Sequence, residues 1–124
     1  MLTDRGLRPA LEALVTRTPV PVAVEAESAR LPAPVEAAAY FVVSEALQNV
    51  AKYAHATRAT VTVRRTRGRV VVDVADDGVG GADATRGSGL CGLEDRVAAL
   101  DGTIAVASPV GRGTRLRAEI PLSA

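Results

Sequence analysis

The stretch Pro34 to His55, PVEAAAYFVVSEALQNVAKYAH, constrains the fold most. After its first residue it has no glycine or proline, and its apolar residues recur at helical spacing. Proline suits a helix start, where its missing N–H costs nothing. Val35, Ala38, Ala39, Val42, Ala46 and Val50 form one apolar stripe for a core. Glu45, Asn49 and Lys52 lie on another line, within roughly a 60° arc at about 100° per residue. That face carries a carboxylate, an amide and a cation. It suits a divalent metal and a phosphate chain, and equally an ordinary solvated face.

The rest of the chain supplies short elements around this helix. Leu7 to Arg17 reads as a helix ending before Pro19, and Val20 to Glu27 as a strand whose Pro21 marks a sheet edge. Thr60 to Arg65 and Val70 to Ala75 read as a hairpin joined through Gly68, followed by a polar, glycine-rich loop from Asp76 to Gly89. Leu90 to Leu100 reads as a helix with Leu93, Val97 and Leu100 inward. Asp101-Gly102 closes it, with Gly102 expected to take the left-handed turn. Thr103 to Ser108 and Thr114 to Pro121 are two further strands joined by PVGRG; Arg115, Arg117 and Glu119 face water. Two tightly joined strand pairs predict a mixed, mostly antiparallel sheet. With helices on one face, the fold class is α+β, a two-layer sandwich. At 124 residues the chain is read as a single domain.

Charge and cysteine content narrow the function classes. Fifteen Lys and Arg against fourteen Asp and Glu leave no basic footprint for nucleic acid or an anionic membrane. Aromatic residues are too few for a base-stacking platform. A lone Cys91 fits a reducing compartment, and no apolar run reaches membrane-spanning length.

Two glycine runs bear on chemistry. Asp76-Asp77-Gly78-Val79-Gly80-Gly81 follows a strand. It reads as a turn, or as a carboxylate poised for an exocyclic amine with glycines that let backbone approach a flat ring. Gly87-Ser88-Gly89-Leu90-Cys91-Gly92 precedes a helix and matches G-x-G-x-x-G. A Rossmann origin fits poorly, because roughly ten residues separate strand from glycine where that fingerprint needs a tight turn. The run still offers backbone N–H groups at a helix N-terminus, which suits phosphate. Gly113-Thr114 adds a hydroxyl at a tight turn, or is a plain hairpin turn.

The ordered set E-x-x-x-N-x-x-K, D-x-G-x-G, G-x-G-L-x-G-L and G-T resembles the ATP-binding catalytic domain of sensor histidine kinases, within the Bergerat-type (GHKL) ATPase superfamily. YFVVSEALQNVAKYA, DDGVGG, GLCGLEDRVAAL and GRGTRLRAEIPL are most similar to kinases whose response regulators carry a LuxR-type helix-turn-helix. The resemblance covers essentially the whole chain. It implies that ATP and Mg²⁺ are the cofactors. It implies that Asn49 binds Mg²⁺, that Lys52 sits near the phosphates, and that Asp76 accepts from the adenine amine. Gly78 and Gly80 would line the base pocket, and Gly87, Gly89, Leu90 and Gly92 would wrap the phosphates. Thr114 would support the adenine contact, and Glu45 would be the general base or a group that orients a neighbour.

The chain departs from the pattern in places. Tyr53 stands where such kinases usually carry His, and Asp101 where a second Gly is common, a left-handed position that Asp tolerates moderately. No acceptor helix is present, and His55 reads as an exposed residue at a helix end. Residues 1–6 resemble the end of a linker from a dimerisation and phosphoacceptor domain. The resemblance therefore implies a cytoplasmic module that phosphorylates a His on that separate domain, with a response regulator downstream. The isolated chain is expected to be monomeric and to bind ATP without labelling itself, with no nucleic-acid or direct membrane contact. The alternative is a nucleotide-gated interaction module or an anti-sigma-type Ser/Thr kinase of the same superfamily.

Overall fold

The computed structural model describes residues 6–26, 31–50, 56–78, 90–107 and 113–122. Among the described residues three helices and five strands follow one another: α1 (Leu7–Thr16), β1 (Val22–Ala26), α2 (Ala33–Asn49), β2 (Ala59–Thr66), β3 (Arg69–Asp76), α3 (Leu90–Ala98), β4 (Thr103–Ala107) and β5 (Arg115–Pro121). The five strands form one sheet in the order β1-β2-β3-β5-β4. β1 and β2 are parallel, with α2 between them in sequence, which is the crossover a parallel pair needs. The other three pairings are antiparallel. The expected mixed α+β architecture is therefore present, and β1 is an edge strand as Pro21 implied. Val20 and Pro21 precede the strand itself; the Pro21 carbonyl instead accepts the Ala59 N–H at 3.0 Å.

The β2–β3 hairpin turns through Arg67 and Gly68, both at positive φ (51° and 76°). A two-residue turn with both φ positive matches the right-handed twist of its strands. Strand alternation then sorts the sheet into two faces. Val61 and Val63, Val70, Val72 and Val74, and Leu116, Ala118 and Ile120 point to one face and are almost fully buried. There they join Leu11, Val42, Val43, Leu47, Leu93 and Val97 from the helices in one core.

The opposite face is polar. Asp73 accepts from both Arg115 (3.0 Å) and Arg117 (2.8 Å), and Arg69 pairs with Glu119 at 2.8 Å. The Arg115 guanidinium first, and Arg117 with it, holds the Asp73 carboxyl below the usual carboxylate range against the opposing effect of burial.

α2 is buried more completely than one stripe predicts: Val43, Leu47 and Glu36 are also inside. It lies against the sheet with α1 and α3 beside it, so few of its positions face water. Glu36 is 2% exposed, and its Oε2 accepts the Leu31 N–H at 3.0 Å just ahead of the helix. A carboxylate in a first turn also suits the helix dipole. Across the outer side of two helices, the Arg96 guanidinium stacks on the Phe41 ring at 3.9 Å.

The end of α3 corrects one expectation. The left-handed residue is Asp101 (φ 61°), not Gly102. Asp101 N–H donates to Ala98 O at 2.9 Å and Gly102 N–H to Val97 O at 2.9 Å, which is a Schellman cap. Gly102 is needed for space: a Cβ there would lie 2.5 Å from the Glu119 carbonyl oxygen and 2.7 Å from Val97 Cγ1.

Candidate functional site

Chain direction brings Asp76 and Gly113-Thr114 to one end of the sheet. β3 runs toward Asp76, its last residue, and β5 starts there after Gly113-Thr114. β2 also starts there, since Ala59 faces Asp76. β4 begins at the other end, where Thr103 pairs with Glu119, so α3 enters β4 from the far end. The C-terminal cap of α3 therefore lies at the end of the sheet opposite Asp76, and its N-terminus is about 13 Å along the helix axis from that cap. α2 leads, through residues 50–58, into the start of β2 at the Asp76 end.

Asp76 continues the row Val70, Val72, Val74, so its side chain is on the helix-covered face, and it is half-buried. Its N–H donates to the Thr114 carbonyl at 2.9 Å, and Thr114 is also half-buried. Opposed residues of an antiparallel pair share a face, so the two side chains sit side by side. One carboxylate oxygen, Oδ1, accepts the Gly78 N–H at 2.8 Å, which fixes the group against the buried Gly78. Among the described residues that is the carboxylate's only bond. Gly113 sits at φ 79° with its Cα against the Asp76 carbonyl oxygen, a position where a Cβ would collide. Gly113 thus packs on the Asp76 backbone, while Gly78 holds its carboxylate.

Glu45 and Asn49 are both half-buried on α2. The Asn49 amide carries an oxygen of the kind Mg²⁺ accepts. The described residues hold no group of three or more His, Cys, Asp or Glu suited to a metal. A cation here would take its remaining ligands from phosphate oxygens and water, as Mg²⁺ commonly does. Leu90 opens α3, and Gly92 lies in its first turn, exposed, with open space around the position of a Cβ. Gly92 is therefore part of the helix rather than of the loop before it. Lys52, Tyr53, His55, Gly80, Gly87 and Gly89 lie outside the described residues, as do residues 1–5, and so does the Cys91 side chain.

Asp77 was not picked out by sequence pattern. Its carboxylate accepts from the Thr57 hydroxyl, the Thr57 N–H (2.8 Å) and the Arg58 N–H (3.1 Å). These bonds, led by the Thr57 hydroxyl, pull its pKa down to about 2. Only its place beside Asp76 in a tandem acid pair hinted at this, because the donors lie about twenty residues away.

Comparisons with known proteins identify the family. The family model for histidine kinase-, DNA gyrase B- and HSP90-like ATPases matches residues 35–124. The chain is similar to the oxygen sensor histidine kinase NreB of Staphylococcus carnosus (strain TM300), 34% identical over 93 residues, 72% of this chain. It is also similar to the histidine-protein kinase/phosphatase DegS of Bacillus subtilis (strain 168), 31% identical over 105 residues, 80% of this chain. The chain spans 27% of the length of each of these relatives. Among solved structures, a blue-light activated histidine kinase of Erythrobacter litoralis EL346 superimposes with a TM-score of 0.78 at 23% identity, covering 93% of this chain and 40% of that one. Histidine kinase AdeS of Acinetobacter baumannii gives 0.71 at 17% identity, covering 95% and 62%. At these identities the structures speak for the fold, and the sequence match carries the family. A half-buried acid at a strand end, held beside Thr114 and facing the helices, sits within the matched span, and the chain belongs to the histidine kinase-, DNA gyrase B- and HSP90-like ATPase family.

Proposed function

We propose that the chain binds ATP with Mg²⁺ and passes the γ-phosphoryl group to a histidine on a dimerisation domain of the same kinase, which then supplies a response regulator of LuxR type. The observation that carries this is the Asp76 carboxylate, fixed by Gly78 and flanked by Thr114 in a domain similar to histidine kinases. Asp76 selects adenine by accepting its amine, and Gly78, Gly80 and Thr114 shape the base pocket. Asn49 holds the metal, Lys52 stands at the phosphates, and Gly87, Gly89, Leu90 and Gly92 present N–H groups to them. Bound Mg²⁺ neutralises phosphate charge. The protein's own contribution is mainly positioning, since phosphoryl transfer has a loose transition state. Glu45 acts as base or orients a neighbour. The acceptor domain joins through residues 1–6, and the module works in the cytoplasm, where no helix of the described residues is long and apolar enough to cross a membrane.

The test uses radiolabelled ATP with the chain alone, with its Asn49→Ala variant, and with a helical acceptor domain added in trans. The chain alone stays unlabelled, the added domain gains an acid-labile phosphate, and Asn49→Ala abolishes both labelling and Mg²⁺-dependent affinity. Label on the chain alone that vanishes in His55→Ala, or ATP affinity indifferent to Mg²⁺, overturns the reading. ATP binding without transfer favours the nucleotide-gated interaction module.

A further inference from the structure

The β2–β3 ladder ends in an unusual exchange of partners. Ala59 and Asp76 form a non-hydrogen-bonded pair, and their N–H groups go to the flanking Pro21 and Thr114 carbonyls, as inner strands require. The next pair outward, Arg58 and Asp77, should exchange two backbone bonds. One is stretched, with Asp77 N–H to Arg58 O at 3.4 Å. The other is replaced: the Arg58 N–H donates to Asp77 Oδ1 at 3.1 Å instead of to a backbone carbonyl. The same carboxylate takes the Thr57 N–H at 2.8 Å and the Thr57 hydroxyl, with the Arg58 guanidinium 4.0 Å away. A carboxylate accepting charge-assisted bonds from successive residues anchors a segment more firmly than two neutral ladder bonds. The anchored segment, Thr57-Arg58, is the described end of the connection from Asn49 on α2 to β2.

We propose that Asp77 is a positioning residue of the nucleotide site, which holds Thr57-Arg58, just ahead of β2, beside the end of β3 and so fixes where the Asp76 base acceptor stands. The tandem acids divide the work: Asp76 points into the helix-covered face, and Asp77 reaches sideways to the adjacent strand. The proposal rests on the nucleotide reading above. A structural clamp with no bearing on the site would leave base preference untouched. A clamp that places Asp76 lowers that preference when it is loosened.

The test is calorimetric titration of ATP and GTP, with and without Mg²⁺, into the unmutated chain, Asp77→Ala, Asp77→Asn and Thr57→Val, at a temperature where circular dichroism shows each folded. Asp77→Ala lowers the ATP-over-GTP affinity ratio about tenfold, the scale of one charged hydrogen bond. Asp77→Asn keeps a neutral oxygen for the Thr57 and Arg58 N–H groups and recovers part of the ratio. Thr57→Val shows a smaller loss, and adding it to Asp77→Ala brings no further loss because both remove the same link. If Asp77→Ala does not fold, Thr57→Val decides, and a ratio equal to the unmutated chain's overturns the proposal. Equal loss of ATP and GTP affinity in Asp77→Ala also overturns it, as does no change in either. An unmutated chain that binds neither nucleotide, or both alike, fells the nucleotide reading first and this proposal with it.

Discussion

The Asp76 N–H donates to the Thr114 carbonyl oxygen at 2.9 Å, which joins two residues 38 positions apart into the end of one ladder. Because β5 lies between β3 and β4, this bond joins two inner strands of the sheet. Gly113 makes it possible, since its left-handed φ of 79° brings the chain in against the Asp76 carbonyl.

Gly113→Ala therefore strains the backbone and pushes a methyl group at that carbonyl. The expected loss is at least about 1–2 kcal/mol, the cost of a left-handed non-glycine residue before any clash is counted. Thermal melting measures the loss, and ATP titration at low temperature reads a parallel fall in affinity. A variant as stable as the parent would mean the turn relaxes without cost.

Under the proposed nucleotide reading, base selection would rest on the Asp76 carboxylate. Guanine presents a carbonyl oxygen where adenine presents an amine, so two acceptors oppose and a polar group goes unpaired at about 1–3 kcal/mol. ATP should bind at least about tenfold tighter than GTP, and Asp76→Ala should lose most of that margin. Competition binding measures both ratios, and equal affinities in the parent chain would count against Asp76 as the selector.

The cap of α3 gives two neighbouring substitutions of opposite sign. Asp101→Gly relieves a left-handed aspartate and is expected to stabilise by about 0.5–1 kcal/mol. Gly102→Ala forces a Cβ onto the Glu119 carbonyl and Val97, and is expected to cost about 1–3 kcal/mol. Denaturant midpoints of the pair give the signs; a Gly102→Ala variant as stable as the parent would show that β5 can shift away from the cap.

Acid should release the Asp77 clamp. Its folded pKa, about 2, lies below the ordinary aspartate value near 4. A depressed pKa means the clamp contributes fully above about pH 4 and is lost as pH falls toward 2. Asp73, lowered by Arg115 and Arg117, acts in the same direction. Melting temperature followed from pH 5 down to 2 should therefore show Asp77→Asn below the parent at pH 5 and level with it near pH 2. A gap that persists at pH 2 would assign the stabilisation to the neutral hydrogen bonds instead.

Residue pattern by itself determined the elements. Helical spacing from Val35 to Val50, strand alternation from Thr60 to Ala75, and the turn and cap signals at Gly68 and Asp101-Gly102 all act within a few positions of chain. The order of motifs likewise carried Asp76, Asn49 and Thr114 as candidates through resemblance. Partners remote in sequence were beyond it. Periodicity cannot say that β5 inserts between β3 and β4, because strand order is settled by which faces bury best together. Nor does it mark Glu36, a carboxylate on an otherwise solvent-like pattern that folding buries against the Leu31 N–H. The placement of the left-handed turn on Asp101 came from β5 as well: the Glu119 carbonyl occupies the space over Gly102, so the residue without a Cβ is spent on close approach and the strained φ falls to its neighbour. Asp77 shows the same limit at the site, since its anchoring role exists only once β2 and β3 have paired and the ladder between Arg58 and Asp77 has opened enough for a side chain to close it.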